Sequence, residues 1–178
     1  TQQLQSAVFG SGCFWCAEEI FGQLKGVESV TPGYSGGHTS NPTYQQVCSD
    51  TTGHAEVVKI EYDPSIITYR DLLEIFWQTH DPTTPNRQGN DIGSQYRSVI
   101  FYADEQQMHA AQSLRSELEK SKAYTAPIVT EIVPLVNFYP AEEYHHNYFA
   151  RNQNQAYCRM VISPKVAKFK KKFGEKAR

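Results

Sequence analysis

The chain has 178 residues, of which 39% are hydrophobic and 20% charged, an ordinary composition for a globular protein. Its formal net charge of −2 gives no indication of a nucleic-acid or anionic-membrane partner. The sequence has no signal peptide that we can recognise and no stretch near the ~20 apolar residues of a membrane helix. We therefore expect one domain, a monomer in the cytoplasm with no nucleic-acid or membrane partner.

The first half of the chain alternates between strand-like and helix-like patterns. An apolar run at 7–9 predicts a strand, and a helical pattern follows from about 17 to 24. Residues 27–34 and 55–62 predict two further strands, of which the second is rich in β-branched residues. A helix is predicted over 68–80, with Thr68 as its N-cap.

The second half continues in the same way. Its predicted elements are a strand at 98–103, a helix from Asp104 to about 121, a strand at 128–136, a short helix at 141–151 and a last helix from Pro164. The first six elements run β-α-β-β-α-β, which is the order of the ferredoxin-like plait. We expect an α+β fold with this plait over roughly 6–137 and a C-terminal helical extension over roughly 138–178.

Two long polar segments, 35–53 and 81–95, interrupt these elements. Both exceed the ~12–15 residues usual for structureless connections, and such loops are usually functional or disordered. Because each contains aromatic and carboxylate residues, we interpret both as functional.

Cys13 lies in a glycine-containing turn between the first strand and the first helix. Unpaired N–H groups and the helix dipole favour an anion there, so its thiol should ionise easily. The thiolate is the nucleophilic form of cysteine. A buried cysteine is often only a small apolar residue, but a core rarely needs one in such a turn, so we favour a nucleophile.

Cys16 forms a C-x-x-C pair with Cys13. This spacing at a helix start supports a redox disulfide or half of a zinc site. The sequence has no second C-x-x-C, and its histidines are scattered apart from His145 and His146, which as neighbours on a helix point in different directions. We therefore expect no metal, and Cys16 is either a redox partner or a core residue.

Glu56 lies at the junction of a polar loop and an apolar strand, where partial burial would raise its pKa toward that of a useful proton donor. Asp91 has the sequence context of an ordinary turn residue. Tyr44 and Tyr96 cannot be told from packing tyrosines by sequence alone. His54 is either a second base near Glu56 or a residue that caps a turn.

Together these segments resemble the type A peptide methionine sulfoxide reductases over nearly the whole chain. The matching segments, in order, are Gly12-Cys13-Phe14-Trp15, Pro32-Gly33-Tyr34-Ser35-Gly36-Gly37, Asn41-Pro42-Thr43-Tyr44, Gly53-His54-Ala55-Glu56, His80-Asp81-Pro82-Thr83 and Asp91-Ile92-Gly93-Ser94-Gln95-Tyr96-Arg97-Ser98. The resemblance implies a ferredoxin-like plait with long loops, in agreement with the order of predicted elements.

The resemblance also implies a role for each candidate residue. Cys13 would attack the sulfoxide sulfur, and Glu56 would give a proton to the sulfoxide oxygen. Tyr44 and Tyr96 would donate hydrogen bonds to that oxygen, and Asp91 would organise the site through water or a neighbouring group. These are the parts that sulfoxide reduction requires, because the oxygen must be protonated as the sulfur is attacked.

Phe14 and Trp15 would form the apolar wall that accepts the methyl group of the substrate. The substrates implied are oxidised proteins, peptides and free methionine sulfoxide, and preference for the S epimer at sulfur follows from the resemblance alone. No bound cofactor is implied, because the reductant is an external dithiol, thioredoxin, or dithiothreitol in vitro.

The reaction would leave Cys13 as a sulfenic acid, which a second thiol converts to a disulfide. Many members of the family carry this resolving cysteine in a glycine-rich C-terminal tail. Here Cys158 occupies a comparable place, but a lysine-rich helix follows it instead of such a tail. Cys16 is the local rival, and Cys48 matches a position without a catalytic role. We favour Cys158 slightly.

Two other functions compete with this interpretation. A thiol-disulfide oxidoreductase would use Cys13 and Cys16 directly but would leave Glu56 and Asp91 without a role. A module that binds methionine or peptides would explain the aromatic loops but not a thiol at a helix start.

Overall fold

The computed structural model describes residues 3–89 and 91–176. Its strands are β1 (Gln5–Ser11), β2 (Val27–Ser35), β3 (Ala55–Tyr62), β4 (Arg87–Gln88), β5 (Asp91–Ile92), β6 (Ser98–Tyr102), β7 (Glu131–Pro134) and β8 (Tyr139–Pro140). Its α-helices are α1 (Phe14–Gly22), α2 (Tyr44–Cys48), α3 (Tyr69–Gln78), α4 (Glu105–Lys120), α5 (Tyr148–Arg151) and α6 (Ser163–Phe173). Short 3₁₀ turns cover Ser94–Tyr96, Glu143–His145 and Gly174–Lys176, and a π-helical turn covers Cys158–Ile162.

The centre of the fold is a six-stranded mixed sheet in the order β7-β6-β1-β3-β2-β8. β6 and β7 pair in parallel, and the other neighbours pair antiparallel. β4 and β5 form a separate two-stranded ribbon. The predicted α+β class is confirmed, and the sheet has six strands, two more than the four in the β-α-β-β-α-β order.

Alternating side chains of the strands face two apolar layers, as the period of a strand requires. The larger layer combines Phe9 of β1 and Ile60 of β3 with apolar residues of α1, α3 and α6. The smaller one lies on the other face and contains Val8 of β1 and Val57 of β3. The helices therefore cover one face of the sheet over most of its width.

Side-chain caps fix the starts of the two longest predicted helices. Thr68 accepts the Asp71 N–H at 3.1 Å in a capping box at the start of α3. Asp104 accepts the Gln107 N–H at 2.9 Å at the start of α4. Both N-caps agree with the sequence prediction.

Three predicted elements differ from the structure. The helix expected from about 17 to 24 begins earlier, as α1 at Phe14, because Cys13 is its N-cap. The strand expected at 128–136 is restricted to Glu131–Pro134, because Arg115 of α4 donates to the carbonyls of Ile128 and Thr130 and takes up the backbone groups ahead of it. The helix expected at 141–151 is a 3₁₀ turn and the short α5, separated by Asn147 in the left-handed region at φ 54°.

The C-terminal part of the chain is also less separate than expected. β8 falls within the segment 138–178 and pairs with β2, so this extension contributes a strand to the sheet. The last helix begins close to Pro164, as predicted. None of the helices described for residues 3–89 and 91–176 is long and apolar enough to cross a membrane.

Candidate active site

The turn from β1 into α1 places Cys13 at the start of the helix. Gly12 has φ +103°, and a Cβ there would lie 2.7 Å from the side chain of Gln88, so the turn requires glycine. Cys13 then takes the N-cap position with extended backbone angles, and its carbonyl accepts the Ala17 N–H at 3.4 Å. The predicted position of the cysteine at a helix N-terminus is correct.

Glu56 lies beside this turn because β1 and β3 run antiparallel, which brings the end of one strand next to the start of the other. Its Oε1 accepts the Phe14 N–H at 3.2 Å, whereas its buried Oε2 has no hydrogen-bond partner among the described residues. Burial raises the pKa of Glu56 to about 8; the Phe14 N–H opposes this shift and the charge of Asp91 adds to it. At neutral pH the carboxyl group is therefore largely protonated.

The Cys13 thiol is only 8% exposed, and burial raises its pKa well above the usual value. The charge of Glu56 raises that pKa further, while hydrogen bonding with the Tyr157 hydroxyl and with the Trp15 backbone lowers it. The expectation of an easily ionised thiol was therefore wrong, because burial outweighs the effect of the N-terminal position on the pKa.

Tyr44 and Tyr96 both approach the Glu56 carboxyl group. Tyr44 begins α2, and Tyr96 ends the 3₁₀ turn Ser94–Tyr96. Burial raises the pKa of both hydroxyls, and the charge of Glu56 is the next cause for each. The Tyr44 hydroxyl also hydrogen-bonds to the Cys48 thiol. Tyr44 lies in the first long polar segment and Tyr96 directly follows the second, and both phenols stay protonated at neutral pH.

Asp91 is joined to Cys13 through Tyr157. The Tyr157 hydroxyl donates to Asp91 Oδ2 at 2.5 Å and is also within hydrogen-bond reach of the Cys13 sulfur. Burial, then the charge of Cys13, raises the pKa of this hydroxyl. Our sequence interpretation did not select Tyr157 as a site residue. Its position next to Cys158, a candidate resolving cysteine, was the feature of the sequence that could have pointed to it.

Aromatic rings surround the start of α1. The Trp15 indole stacks on Tyr148 with centroids 3.8 Å apart and planes 11° apart, and Tyr157 meets it edge-on at 5.8 Å. Phe14 is buried and stacks on Tyr44 at 6.2 Å. The two rings that we expected to form an apolar wall therefore lie together, and they are held in place by rings from distant segments.

Two residues near the 3₁₀ turn Glu143–His145 support this cluster, and we did not predict either of them. Trp15 Nε1–H donates to His145 Nδ1 at 2.9 Å. Glu142 accepts the Tyr34 hydroxyl at 2.9 Å and the Tyr44 backbone N–H at 3.0 Å. The run of polar residues here was visible in the sequence, but we weighed its histidines only as zinc ligands.

The other thiols differ in their surroundings. Cys16 lies within the first turn of α1, close enough to Cys13 for the two charges to interact, and burial raises its pKa to about 11. Cys158 has no exposed surface and packs in the larger apolar layer. Cys48 is exposed. The structure describes all four cysteines as free thiols.

His54 contacts the loop beside it and not the site. Its Nδ1 accepts the Gly37 N–H at 3.0 Å, and its Nε2 lies 2.7 Å from the Thr39 carbonyl. Both ring nitrogens are thus engaged by backbone, which favours the turn-capping alternative over a second base. Among the described residues, no group of three or more His, Cys, Asp or Glu is arranged to hold a metal ion.

Comparison with known proteins identifies the relatives of this chain. The peptide methionine sulfoxide reductase MsrA of Sulfolobus acidocaldarius is 56% identical over 98% of both chains. The crystal structure of Mxr1 from Saccharomyces cerevisiae in reduced form matches with a TM-score of 0.79 and 32% identity, over 88% of this chain and 90% of that one. Mxr1 in complex with Trx2 matches with a TM-score of 0.57 and 25% identity, over 82% and 85%.

The family model described as peptide methionine sulfoxide reductase matches residues 5–177, almost the entire chain. This match agrees with the full-length similarity to the archaeal relative. The chain therefore belongs to the family of peptide methionine sulfoxide reductases.

Proposed function

We propose that this methionine sulfoxide reductase attacks the sulfoxide sulfur with Cys13 and protonates the sulfoxide oxygen with Glu56. The observation that carries this assignment is the buried carboxyl group of Glu56, protonated at neutral pH, with Oε2 free beside a buried thiol. A neutral carboxylic acid is both a hydrogen-bond donor and a proton donor. By family resemblance the substrate is the S epimer, free or within peptides and proteins.

The Cys13 proton also needs an acceptor as the thiolate forms. In our proposal the Cys13 S–H donates to the Tyr157 oxygen while the Tyr157 O–H donates to Asp91, so a proton leaves the sulfur and one arrives on the Asp91 carboxylate. The 2.5 Å bond between Tyr157 and Asp91 supports this direction. The proton moves away from Glu56, which keeps its own proton for the substrate oxygen.

The remaining groups would hold the substrate. Tyr44 and Tyr96 donate O–H groups to the sulfoxide oxygen, where negative charge is present in the ground state and is being neutralised during reaction. The methyl group packs against Phe14 and Trp15. The clustering of the two phenols around Glu56, with the two rings at the same helix start, supports this arrangement.

Attack forms a bond between Cys13 Sγ and the substrate sulfur, whose oxygen takes the Glu56 proton. The hydroxyl group then passes to Sγ as the S–O and S–S bonds to the substrate sulfur break, which releases methionine and leaves Cys13 as a sulfenic acid. A second thiol then displaces water and forms a disulfide. Side chains three positions apart on a helix have Cβ atoms about 5–6 Å apart, against about 3.5–4.5 Å in a disulfide. Cys16 therefore needs a shift of about 1–2 Å, which the non-helical N-cap residue Cys13 can supply.

Cys158 needs a larger change. Tyr157 lies over Cys13, and Cys158 is buried in the apolar layer, so the π-helical turn must open before the two sulfurs meet. π-Helical turns are rare and less regular than α-helix. We propose Cys16 as the first resolving thiol, the reverse of the preference from sequence, with Cys158 as the alternative.

An external dithiol would return the disulfide to two thiols, and we propose a thioredoxin-type protein as that reductant. Support comes from the yeast neighbour solved in complex with Trx2. We infer oxidised proteins, peptides and free methionine sulfoxide as substrates, with no bound cofactor. We further propose a monomer that acts in the cytoplasm.

We also propose that the central strands form a ferredoxin-like plait within a single catalytic domain. The order β6-β1-β3-β2 and the antiparallel pairing of these four strands support it. β7 and β8 extend this unit at its two edges.

The assignment of Cys13 is tested by turnover of methionine sulfoxide with dithiothreitol as reductant. We expect Cys13→Ser to abolish turnover and Cys48→Ser to retain it, because Cys48 lies outside the proposed reaction. Undiminished turnover by Cys13→Ser would overturn the nucleophile assignment.

A further inference from the structure

We propose that His145 is a positioning residue for the reaction, which fixes the Trp15 indole against the S-methyl group and so sets the preference for methyl over larger alkyl sulfoxides. The inference rests on the proposed role of Trp15 as a wall of the methyl pocket. It assigns a function to a histidine that is remote from Cys13 in the sequence.

The hydrogen bond between the two rings defines which atom of His145 matters. The indole N–H of Trp15 is a donor only, so His145 Nδ1 must be the unprotonated, accepting nitrogen at 2.9 Å. The proton of the neutral ring is then on Nε2. Burial lowers the pKa of His145 to about 4, so the ring stays neutral and its acceptor stays available at physiological pH.

This arrangement lowers the stability of the fold. His145 has no exposed surface, and its Nε2 has no hydrogen-bond partner among the described residues. A buried donor without a partner destabilises a folded protein, and an apolar side chain of similar size would avoid that cost. The histidine therefore lowers the stability of the fold through Nε2, whereas its Nδ1 accepts the hydrogen bond that positions Trp15.

The indole is restrained both at its edge and on its face. At the edge, His145 accepts a hydrogen bond from Trp15 Nε1. On the face, Tyr148 stacks with ring centroids 3.8 Å apart. A rotation of the indole about its own side-chain bonds would break one of these contacts. Without the His145 acceptor only the stacking contact remains, and the indole can slide in its plane.

The segment that carries His145 and Tyr148 is itself anchored to α1. The Glu18 carboxylate accepts the Asn147 N–H at 2.7 Å and also hydrogen-bonds to the Tyr148 backbone N–H. On the other side, the His145 ring lies 4.4 Å from that of Tyr44, measured between centroids. The acceptor nitrogen is therefore held at a fixed position relative to Trp15.

The test compares methionine sulfoxide with its S-ethyl analogue, ethionine sulfoxide, as substrates. One methylene group in a well-formed pocket changes kcat/KM by about 10- to 200-fold. We expect His145→Leu to lower kcat/KM for methionine sulfoxide by about tenfold, and to lower the methyl-to-ethyl ratio by about fivefold or more. His145→Gln, whose amide oxygen can accept from Trp15, should keep the ratio within about twofold of the wild-type value.

His146→Leu is the matched control, because His146 is the neighbouring histidine and has no proposed role. We expect His146→Leu to leave kcat/KM unchanged for both substrates. His145→Leu removes the unpaired Nε2 donor but leaves the Trp15 indole N–H without its acceptor, so we expect its urea midpoint to stay close to that of the wild type. The chain has two tryptophans, so its indole N–H groups give two NMR resonances, and His145→Leu should shift the one that Trp15→Phe removes.

The outcomes separate this inference from the one on which it rests. If Trp15→Phe leaves the methyl-to-ethyl ratio unchanged, the methyl wall is wrongly assigned and both ideas fall. If Trp15→Phe lowers the ratio but His145→Leu does not, only the role of His145 is overturned. Equal losses in the ratio for His145→Gln and His145→Leu would also overturn it, because the acceptor would then be irrelevant.

Discussion

The Phe14 backbone N–H donates to Glu56 Oε1 at 3.2 Å, and this bond ties the proposed acid to the helix that begins at the nucleophile. Because the bond occupies one carboxyl oxygen, Oε2 is left without a partner among the described residues. A protonated Oε2 next to Cys13 is where the sulfoxide oxygen must arrive if the thiolate attacks the adjacent sulfur. The geometry of the site thus depends on the turn from β1 into α1 and on the start of β3.

The first prediction concerns the role of Glu56 as an acid. Glu56→Gln retains a polar group of the same shape but cannot donate a proton to the substrate, so we expect sulfenic acid formation to slow by about 100- to 10,000-fold. The measurement is a single-turnover assay of methionine release over a range of substrate concentrations. A variant with a changed KM and an unchanged maximal rate would show that Glu56 binds substrate and is not the acid.

The second prediction concerns stability, which should depend on pH through Glu56. The pKa is about 8 in the folded protein against the ordinary value of 4.5, so between these values the folded protein holds a proton that the unfolded chain releases. Stability should therefore fall as pH rises, by at most about 1.4 kcal/mol per pH unit from this group. Glu56→Gln removes this dependence.

Urea unfolding at different pH values tests this point. The stability of Glu56→Gln relative to the wild type should increase from pH 5 to pH 8, the window that lies between the two pKa values. Glu61→Gln, a change at a partly exposed carboxyl group on the same strand, is the control. The same difference between Glu56→Gln and wild type at both pH values would mean that Glu56 is not held protonated by the fold.

The third prediction concerns Tyr157, whose hydroxyl lowers the pKa of Cys13. Tyr157→Phe should raise that pKa by about one to two units, the effect expected for losing a hydrogen bond to a charged group. The pH dependence of alkylation by iodoacetamide measures it in a protein whose other three cysteines are replaced by serine. Tyr124→Phe, which removes a hydroxyl bonded to the Trp77 carbonyl, should have no effect. An unchanged midpoint in Tyr157→Phe would remove Tyr157 from the proton path.

The fourth prediction concerns the resolving thiol. We expect Cys158→Ser to lose two free thiols after one turnover with methionine sulfoxide, since Cys13 and Cys16 remain available. Cys16→Ser should stop at the sulfenic acid or form a disulfide slowly, because Cys158 must first leave the apolar layer. Thiol titration and mass spectrometry of the peptide pairs distinguish these results. Rapid loss of two thiols in Cys16→Ser, with loss of the Cys13 thiol alone in Cys158→Ser, would establish Cys158 instead.

The sequence was sufficient to predict β3 and the starts of α3 and α4. The bounds of β3 and the caps at Thr68 and Asp104 agree with the structure, because short-range patterns and local hydrogen bonds determine them. Glu56 was also predictable, since a carboxylate at the start of an apolar strand is placed for burial. Its distance from Cys13 depends on how β1 and β3 pair, which no local pattern specifies.

Other parts of the site depend on contacts between distant segments and could not be predicted. His145 and Tyr157 reach Trp15 and Cys13 from the C-terminal part of the chain, where the predicted helix at 141–151 is broken at Asn147. The raised pKa of Cys13 likewise follows from burial and from the nearby Glu56. A helix N-terminus alone suggests the opposite shift, so local sequence gave the wrong direction.

The most direct test of the central claim is to locate the oxygen atom after one turnover. The protein with Cys16, Cys48 and Cys158 replaced by serine is mixed with one equivalent of methionine sulfoxide labelled with heavy oxygen. The sulfenic acid is trapped with an aryl chloride that arylates the sulfur and keeps its oxygen, and the labelled peptide is identified by mass spectrometry. We predict one methionine released per protein and the label on Cys13. Methionine release with no oxygen on Cys13, or the same release from a protein that also carries Cys13→Ser, would contradict attack by Cys13 on the sulfoxide.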